Sequence, residues 1–303
     1  MFKKVNRIWT ILSESVKQWN ADDPFRHGAT IAYYAIFSMP GLLIIIIWTA
    51  GAVFGQEAVH GQLSNQIQQF LGPSSAKGVE DIIANARLTG DNFWLKMLGV
   101  GTLVFGATTL FLQLQKSLNA IWGVKAAPKN GLIKLFSDRA TSLGVILVIA
   151  FLLLVSLILS AVISLIGTWI EVYFGEMWLV AIRLLNMTLS LCVTTFLFAI
   201  MFKMLPDVDI AWESVWVGAV AAAMLFTVGK TLLGIYFFYA EPGSSFGAAG
   251  TVILIMLWVN YTSLILFFGA SLSNVYARHY GHPVRPSAHA EWVDQHDCGN
   301  RTN

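Results

Sequence analysis

Two polar residues, Lys230 and Asn260, lie inside long apolar runs of the sequence. The first run covers 212–238 and the second covers 249–275. Each run is long enough to cross the roughly 30 Å core of a bilayer as a helix. A lysine at that depth costs on the order of 2.5–3.5 kcal/mol, so it normally faces a partner or a water-filled cavity. The two residues are therefore candidates for recognising an anionic group within a membrane.

The alternative for Lys230 is that its side chain extends along the helix to the membrane surface. A helical side chain points toward the N-terminus of its helix, and Trp212 at that end is about 27 Å away along the axis. Phe238, at the other end, is only about 12 Å away, but the side chain would have to bend against its natural direction. We predict a buried or cavity-facing lysine, with surface extension as the alternative.

The composition is that of a membrane protein. Hydrophobic residues make up 56% of the chain and charged residues only 12%, whereas a soluble domain has about 25% charged residues. The net charge of +2 is spread over several loops, so nucleic acid is not an expected partner. Cys192 and Cys298 form no disulfide framework, and His279, His282 and His289 near Cys298 match no zinc spacing. We expect neither a metal nor a cofactor.

Apolar runs predict six membrane spans, and the expected fold class is an all-α, polytopic membrane protein with additional amphipathic interfacial helices. One domain over 1–278 holds the spans. An external helical cap is predicted over 55–94, and a disordered, cytoplasmic polar tail over 279–303. The spans lie at about 29–54, 95–115, 140–170, 178–204, 212–238 and 249–275.

Residues 2–20 have the pattern of a basic amphipathic helix, because apolar residues recur every three or four positions and most basic residues lie elsewhere. Two placements are open. The helix lies on the membrane surface with Trp9 and Trp19 at headgroup depth, or it docks on the protein itself. After it, Asp23 and Pro24 predict the cap and the first residue of another helix.

The distribution of basic residues predicts the orientation. Six spans place both termini on one side of the membrane. The segments on that side hold 14 Lys and Arg residues, and the opposite segments hold four. By the positive-inside rule both termini are cytoplasmic.

Several different short motifs are distributed along most of the chain. They are AYYAIFSMP at 32–40, LNAIWGV at 118–124, LPDV at 205–208 and FGAAG at 246–250, followed by Leu257-Trp258 and Gly269-Ala270. In combination they resemble the YihY/BrkB family of bacterial inner-membrane proteins, once labelled ribonuclease BN. The resemblance implies six spans, an inner-membrane location, and a role in envelope maintenance, virulence-related serum resistance, or export of a lipid or glycolipid. This chain has Ser271 where family members commonly have glutamate after Gly-Ala.

Three candidate functions can be compared against these patterns. RNA hydrolysis needs a bound metal or a positioned acid and base, and the sequence offers neither, so an enzyme is not expected. A translocator of an anionic lipid or glycolipid would use Lys230 and Asn260 at one depth. Arg26 and Arg139, at the cytoplasmic starts of spans one and three, would receive the headgroup first. The alternative is a non-transporting scaffold for envelope assembly. Membrane lipids are the expected partners, and a homo-oligomer or an envelope protein remains open.

Overall fold

A computed structural model of the chain describes residues 2–38, 93–127, 176–240, 248–282, 284–287 and 290–293. The long elements are helices: α1 (Phe2–Ala21), α2 (24–38), α3 (Phe93–Trp122), α4 (Glu176–Met204), α5 (Trp212–Ala240) and α6 (Ala248–Tyr280). The short strands are β1 (Val124–Ala126), β2 (Val208–Asp209), β3 (Arg285–Pro286) and β4 (Ala290–Trp292).

A sharp turn joins α1 to α2. Asp23 has a positive φ of 53°, which aspartate tolerates better than most residues. Its carbonyl accepts a hydrogen bond of 3.2 Å from the His27 N–H. Pro24 begins α2, where the missing proline N–H costs no hydrogen bond. The predicted helix start at Pro24 is confirmed, and a capping bond from the Asp23 side chain stays a prediction.

Among the described helices, α4, α5 and α6 are long and apolar enough to cross a membrane, over Met187–Met204, Trp212–Tyr236 and Val252–Tyr280. They coincide with the last three predicted spans. Helix α3 contains the predicted span 95–115 and continues to Trp122, and α2 contains the beginning of 29–54. The span 140–170 and nearly all of the cap 55–94 lie outside the described residues, so the number of six spans remains a prediction.

Helices α5 and α6 pack side by side, and α4 also packs on α5. The two backbones approach closely at Gly218, where a Cβ would collide with the Gly269 carbonyl. Small residues commonly permit such approach between membrane helices. Residues near the start of α5 therefore lie beside residues near the end of α6, and the two helices run antiparallel.

Helix α1 docks on the C-terminal half of α6. Ile11 is buried against Leu272 and Val275, and the Trp19 indole N–H donates to the Leu264 carbonyl at 3.1 Å. One face of α1 thus packs on the protein itself, which is one of the two placements that the sequence left open. A second apolar face is exposed and consists of Ile8, Trp9, Leu12 and Val16. Contact of this second face with the membrane stays a prediction.

The segment after α6 pairs with two loops of the bundle. Strand β4 pairs with β1, and β3 pairs with β2, both antiparallel. The Ser287 N–H donates to the Asp207 carbonyl, and the Val293 N–H donates to the Gly123 carbonyl, each at 2.9 Å. We call this end of the bundle, formed by 121–126, 205–211, 284–287 and 290–293, the clasped end.

The prediction of a disordered tail over 279–303 is wrong for 279–282, where α6 continues to Tyr280 and a turn follows, and for 284–287 and 290–293. The tail residues are mostly polar and show no regular spacing of apolar residues, so composition alone favoured disorder. The loops after α3 and α4 provide unpaired backbone groups, and the tail satisfies them as strands.

A closely packed core lies near the clasped end. Its largest fully buried side chains include Leu118 from α3, Phe202 from α4 and Phe267 from α6. Ala219 and Ala223 of α5 belong to the same cluster. Because lipid tails are as apolar as these side chains, close van der Waals packing rather than removal from water stabilises a core inside a membrane.

Candidate functional site

Lys230 lies on the core-facing side of α5. Positions 219, 223, 226 and 230 are spaced by four, three and four residues, so they share one side of the helix. Ala219 and Ala223 are fully buried and Phe226 packs against the core. Lys230 itself is half-buried. Its side chain therefore continues the stripe of α5 that faces the other helices.

The level of Lys230 is set by a close contact at its neighbour, Gly229. The Tyr261 ring from α6 occupies the space that a Cβ on Gly229 would take. The Tyr261 hydroxyl donates to the Leu225 carbonyl at 3.2 Å. Only glycine leaves room for this ring, so the pair fixes the register of α5 against α6 at the depth of Lys230.

Asn260 contacts a different helix. Its Oδ1 lies against Gly28 of α2, where a Cβ would be 2.5 Å away. That oxygen is buried and has no hydrogen-bond partner among the described residues, so it accepts none from Lys230. Because Asn260 precedes Tyr261, it is near the level of Lys230, but its Oδ1 lies at the contact with α2. The structure brings Asn260 to Gly28 rather than to the lysine.

Arg26 lies on the exposed side of α2, two positions before Gly28. It forms an ion pair with Asp23 at 3.5 Å, and both side chains are largely exposed. Such pairs contribute little to stability because water screens them. Arg139 lies outside the described residues, so its place relative to Arg26 stays a prediction.

His27 points inward beside Arg26 and joins α2 to α3. Its Nδ1 is 2.9 Å from the Ser117 hydroxyl, which donates its single proton to the Gln113 carbonyl. The imidazole must therefore donate through Nδ1–H. Burial lowers the pKa of His27 below the usual 6.5, and the positive charge of Arg26 adds to the effect. A neutral imidazole thus links the two helices at pH 7.

The most extensive polar contact in the described structure joins α3 to the turn between α4 and α5. Asn119 donates through Nδ2 to Asp207 Oδ2 at 2.8 Å, and the Asp207 N–H donates to Asn119 Oδ1 at 2.7 Å. Gln115 adds a 3.2 Å bond to Asp207 Oδ1. We call Gln115, Asn119 and Asp207 the clasp. Asn119 is buried, so these bonds form with little competition from water.

The carbonyl of Ile121 joins three helices next to the clasp. It accepts hydrogen bonds from Gln18 of α1 at 3.1 Å and from Asn274 of α6 at 2.8 Å. Arg278 hydrogen-bonds the Gln18 side-chain oxygen. Polar side chains of α1 and α6 thus reach the C-terminal end of α3.

The described histidines near the clasped end each bind a separate partner. His279 contacts Glu14 at 2.7 Å, and His282 contacts the Ser214 hydroxyl at 2.7 Å. Within the described ranges, no three His, Cys, Asp or Glu side chains come together as a metal site would require.

The clasp is the feature that sequence reasoning missed. Asn119 and Asp207 are far apart in sequence, and helical periodicity carries no information on contacts between distant segments. One signal was available, since each of these polar residues lies at the end of an apolar run, within a short motif. Ser271, at the position where glutamate was noted as common, is fully buried, and its hydroxyl has no partner among the described residues.

Comparison with known proteins identifies the family. A family model described as virulence factor BrkB matches residues 15–293. The chain belongs to the BrkB family. The resemblance drawn from the short motifs is thereby confirmed, and the clasp joins two of those BrkB-like motifs, LNAIWGV and LPDV.

Curated relatives are named UPF0761 membrane proteins. The protein of Saccharophagus degradans is 27% identical over 263 residues, which are 85% of this chain and 57% of the relative. That of Alcanivorax borkumensis is 24% identical over 281 residues, 89% of this chain and 60% of the relative. That of Psychromonas ingrahamii is 25% identical over 246 residues, 80% of this chain and 79% of the relative. The chain therefore spans about three-fifths of the first two relatives. No solved structure matches it.

Proposed function

We propose that this BrkB-family membrane protein binds and translocates an anionic lipid or glycolipid, and that Lys230 recognises the anionic headgroup. The observation that carries the proposal is the position of Lys230, which is half-buried on the core-facing stripe of an apolar helix. A lysine within a membrane-spanning helix normally faces a partner group or a water-filled cavity, and it marks a candidate binding site. Phosphate is a common ligand of lysine, which binds it as a point charge.

The proposal is for a transporter-like protein and not for an enzyme. It includes six spans in the bacterial inner membrane, with the clasped end facing the cytoplasm. In this arrangement Arg26 lies where an incoming headgroup first meets the protein, and Arg139 has the same role on the third span. The exposed face of α1 lies in the headgroup region of the same leaflet.

Translocation by purified protein in liposomes tests the role of Lys230. Lys230→Met keeps most of the side-chain volume and removes the charge, so we expect a folded protein that no longer moves a fluorescent phosphatidylglycerol analogue. Lys116→Met is the matched control, because Lys116 is exposed on α3, and it should behave as the wild type. Arg26→Gln should reduce the rate less than Lys230→Met, because water screens an exposed charge.

A scaffold for envelope assembly is the second candidate, and the extensive polar bonding of the clasped end favours it. A scaffold needs a rigid surface rather than a moving path. Wild-type translocation by the Lys230→Met protein would remove the lysine-based mechanism. Absence of translocation by the wild type, together with normal complementation of a deletion strain by Lys230→Met, would place the scaffold ahead.

A further inference from the structure

The packed core lies between Lys230 and the clasped end. Ala223, which is fully buried, precedes Lys230 by roughly 10 Å along α5. Leu118, Phe202 and Phe267 belong to the same cluster as Ala223 and are buried. No member of this cluster carries a charge. Among the described helices, a charged headgroup therefore has no polar route through this core from the clasped end to Lys230 unless these helices separate.

The clasp is placed to control such a separation. Asn119 directly follows the core residue Leu118, and Asp207 lies in the turn that follows Phe202 and the rest of α4. The two residues exchange hydrogen bonds of 2.7 and 2.8 Å. Moving α3 away from the α4–α5 turn would break both of these bonds and the one from Gln115. The same polar contact therefore opposes any opening of the core at this end.

The tail adds a second connection across the same gap. Strand β1 follows α3 and pairs with β4, whereas β2 precedes α5 and pairs with β3. Strands β3 and β4 belong to one segment and contact each other. That segment consequently bridges the end of α3 and the α4–α5 turn, which are the two elements that the clasp joins.

We propose that the core around Leu118, Phe202 and Phe267 is a closed gate between Lys230 and the compartment at the clasped end, and that the clasp holds this gate shut. The inference rests on the proposed function, since it takes Lys230 as the group that a ligand must reach. In the conformation described here, an anionic lipid reaches Lys230 from the far end of the bundle or from the side. Opening toward the clasped end requires α3 to leave the α4–α5 turn.

Cysteine accessibility tests the gate without any transport assay. In a background with Cys192→Ser and Cys298→Ser, Lys230→Cys is exposed to a membrane-impermeant maleimide from the clasped side of sealed vesicles. Lys125→Cys, at an exposed position of β1, is the reference. Lys230→Cys should react far more slowly than the reference. Adding Asn119→Leu removes both hydrogen bonds with Asp207 and should raise the rate at least roughly tenfold, since a tenfold change corresponds to about one net buried hydrogen bond.

Two results would overturn the gate. One is a Lys230→Cys rate equal to that of Lys125→Cys while the clasp is intact. The other is an unchanged rate after Asn119→Leu in protein that remains monodisperse and helical. Because Asn119→Leu could fail to fold, Gln115→Leu serves as the milder variant, since it removes only the 3.2 Å bond to Asp207 and should give a smaller increase.

A reversible cross-link separates failure of the gate from failure of the proposed function. In the same background, Asn119→Cys and Asp207→Cys replace the clasp with a pair that oxidation or a short thiol cross-linker joins. The joined protein should lose translocation of the phosphatidylglycerol analogue, and reduction should restore it. Full translocation by the joined protein contradicts the gate. If the unmodified protein translocates nothing, the proposed function fails, and the maleimide rates alone decide whether the core closes this end.

Discussion

At the scale of single residues, Asp22 lies in the turn between α1 and α2, where its surroundings oppose its negative charge. Its Oδ2 is buried without a hydrogen-bond partner among the described residues. Burial raises the pKa of Asp22 to about 6, and the attraction of Arg278 and a hydrogen bond with Gln18 only partly oppose this rise. The ordinary value is 3.8. Asp22 thus changes charge in the folded protein near pH 6, at the junction of α1 and α6.

The direction of the shift predicts how stability depends on pH. A raised pKa means that the folded state favours protonated Asp22, so its stabilising contribution is complete below about pH 4 and is lost as the pH rises through 6. Asp22→Asn should therefore be more stable than the wild type at pH 7.5, by about 1 kcal/mol after allowance for solvent screening. The advantage should disappear at pH 4.

Unfolding in detergent at several pH values measures this difference. Asp23→Asn is the control, because Asp23 is exposed and asparagine also tolerates its positive φ. An Asp22→Asn advantage that is equal at pH 4 and pH 7.5 would contradict the assigned cause.

At the same scale, the contact of Gly229 with Tyr261 predicts an asymmetric mutation series. Gly229→Ala places a methyl group inside the Tyr261 ring and should destabilise the α5–α6 pair by about 2–3 kcal/mol. Tyr261→Phe loses only the hydrogen bond to Leu225 and should cost about 1 kcal/mol. The double variant Gly229→Ala/Tyr261→Ala should be less destabilised than the sum of its single variants, because the smaller side chain leaves room.

Thermal unfolding of the wild type, Gly229→Ala, Tyr261→Ala and the double variant gives the coupling energy between the two residues directly. Val228→Ala, at the exposed position next to Gly229, should have little effect. Strict additivity of Gly229→Ala and Tyr261→Ala would mean that the two residues do not interlock.

At the scale of elements, α1 has two apolar faces with different neighbours. Ile11 is buried against α6, whereas Ile8, one turn earlier, is exposed. Since the two residues have the same side chain, they form a matched pair. Ile11→Ala should destabilise the docking of α1 by about 2–4 kcal/mol, and Ile8→Ala should change it by less than about 0.5 kcal/mol in detergent.

Limited proteolysis of residues 2–21 reports this docking. Faster cleavage is expected for Ile11→Ala only. Equal cleavage rates for the two variants would show that the buried face does not hold α1 in place.

The elements also show how far sequence reasoning extends. Long apolar runs predicted α5 and α6 to within a few residues, because a bilayer demands a continuous helix of about 20 apolar residues. The same pattern left α1 undecided, since an apolar stripe is equally suited to lipid and to another helix. Contacts such as Asn260 with Gly28 depend on how helices are arranged in space, and one sequence holds no record of that arrangement. The pairing of β3 with β2 and of β4 with β1 was missed for the same reason.

At the scale of the whole molecule, the clasped end gathers segments that the sequence assigned to one side of the membrane, and the side that this end faces stays a prediction. Helix α1, the ends of α3 and α4 and the strands after α6 all meet there, and each of these segments was predicted to be cytoplasmic. The predicted grouping of the site residues is not reproduced to the same extent, because Lys230 and Asn260 have different neighbours and Arg139 lies outside the described residues.

Impermeant labelling in intact cells tests the orientation of the chain. A cysteine introduced at Ser64, in the predicted external cap, should react from outside, because the loops around it hold few basic residues. Cys298 should be protected until the membrane is permeabilised. Labelling of Cys298 but not of the residue at position 64 would reverse the assignment.

The strands that close the clasped end also impose an order on biosynthesis. A ribosome makes β3 and β4 after α6, so α3, α4, α5 and α6 are already made before β1 and β2 have partners. Until that moment the nascent chain exposes two strand edges next to the membrane, and such edges invite chaperones, proteases and wrong pairing. Translation that stops before Arg285 therefore yields an inserted bundle in which the clasp forms but β1 and β2 stay unpaired, and those edges mark it for quality-control proteases.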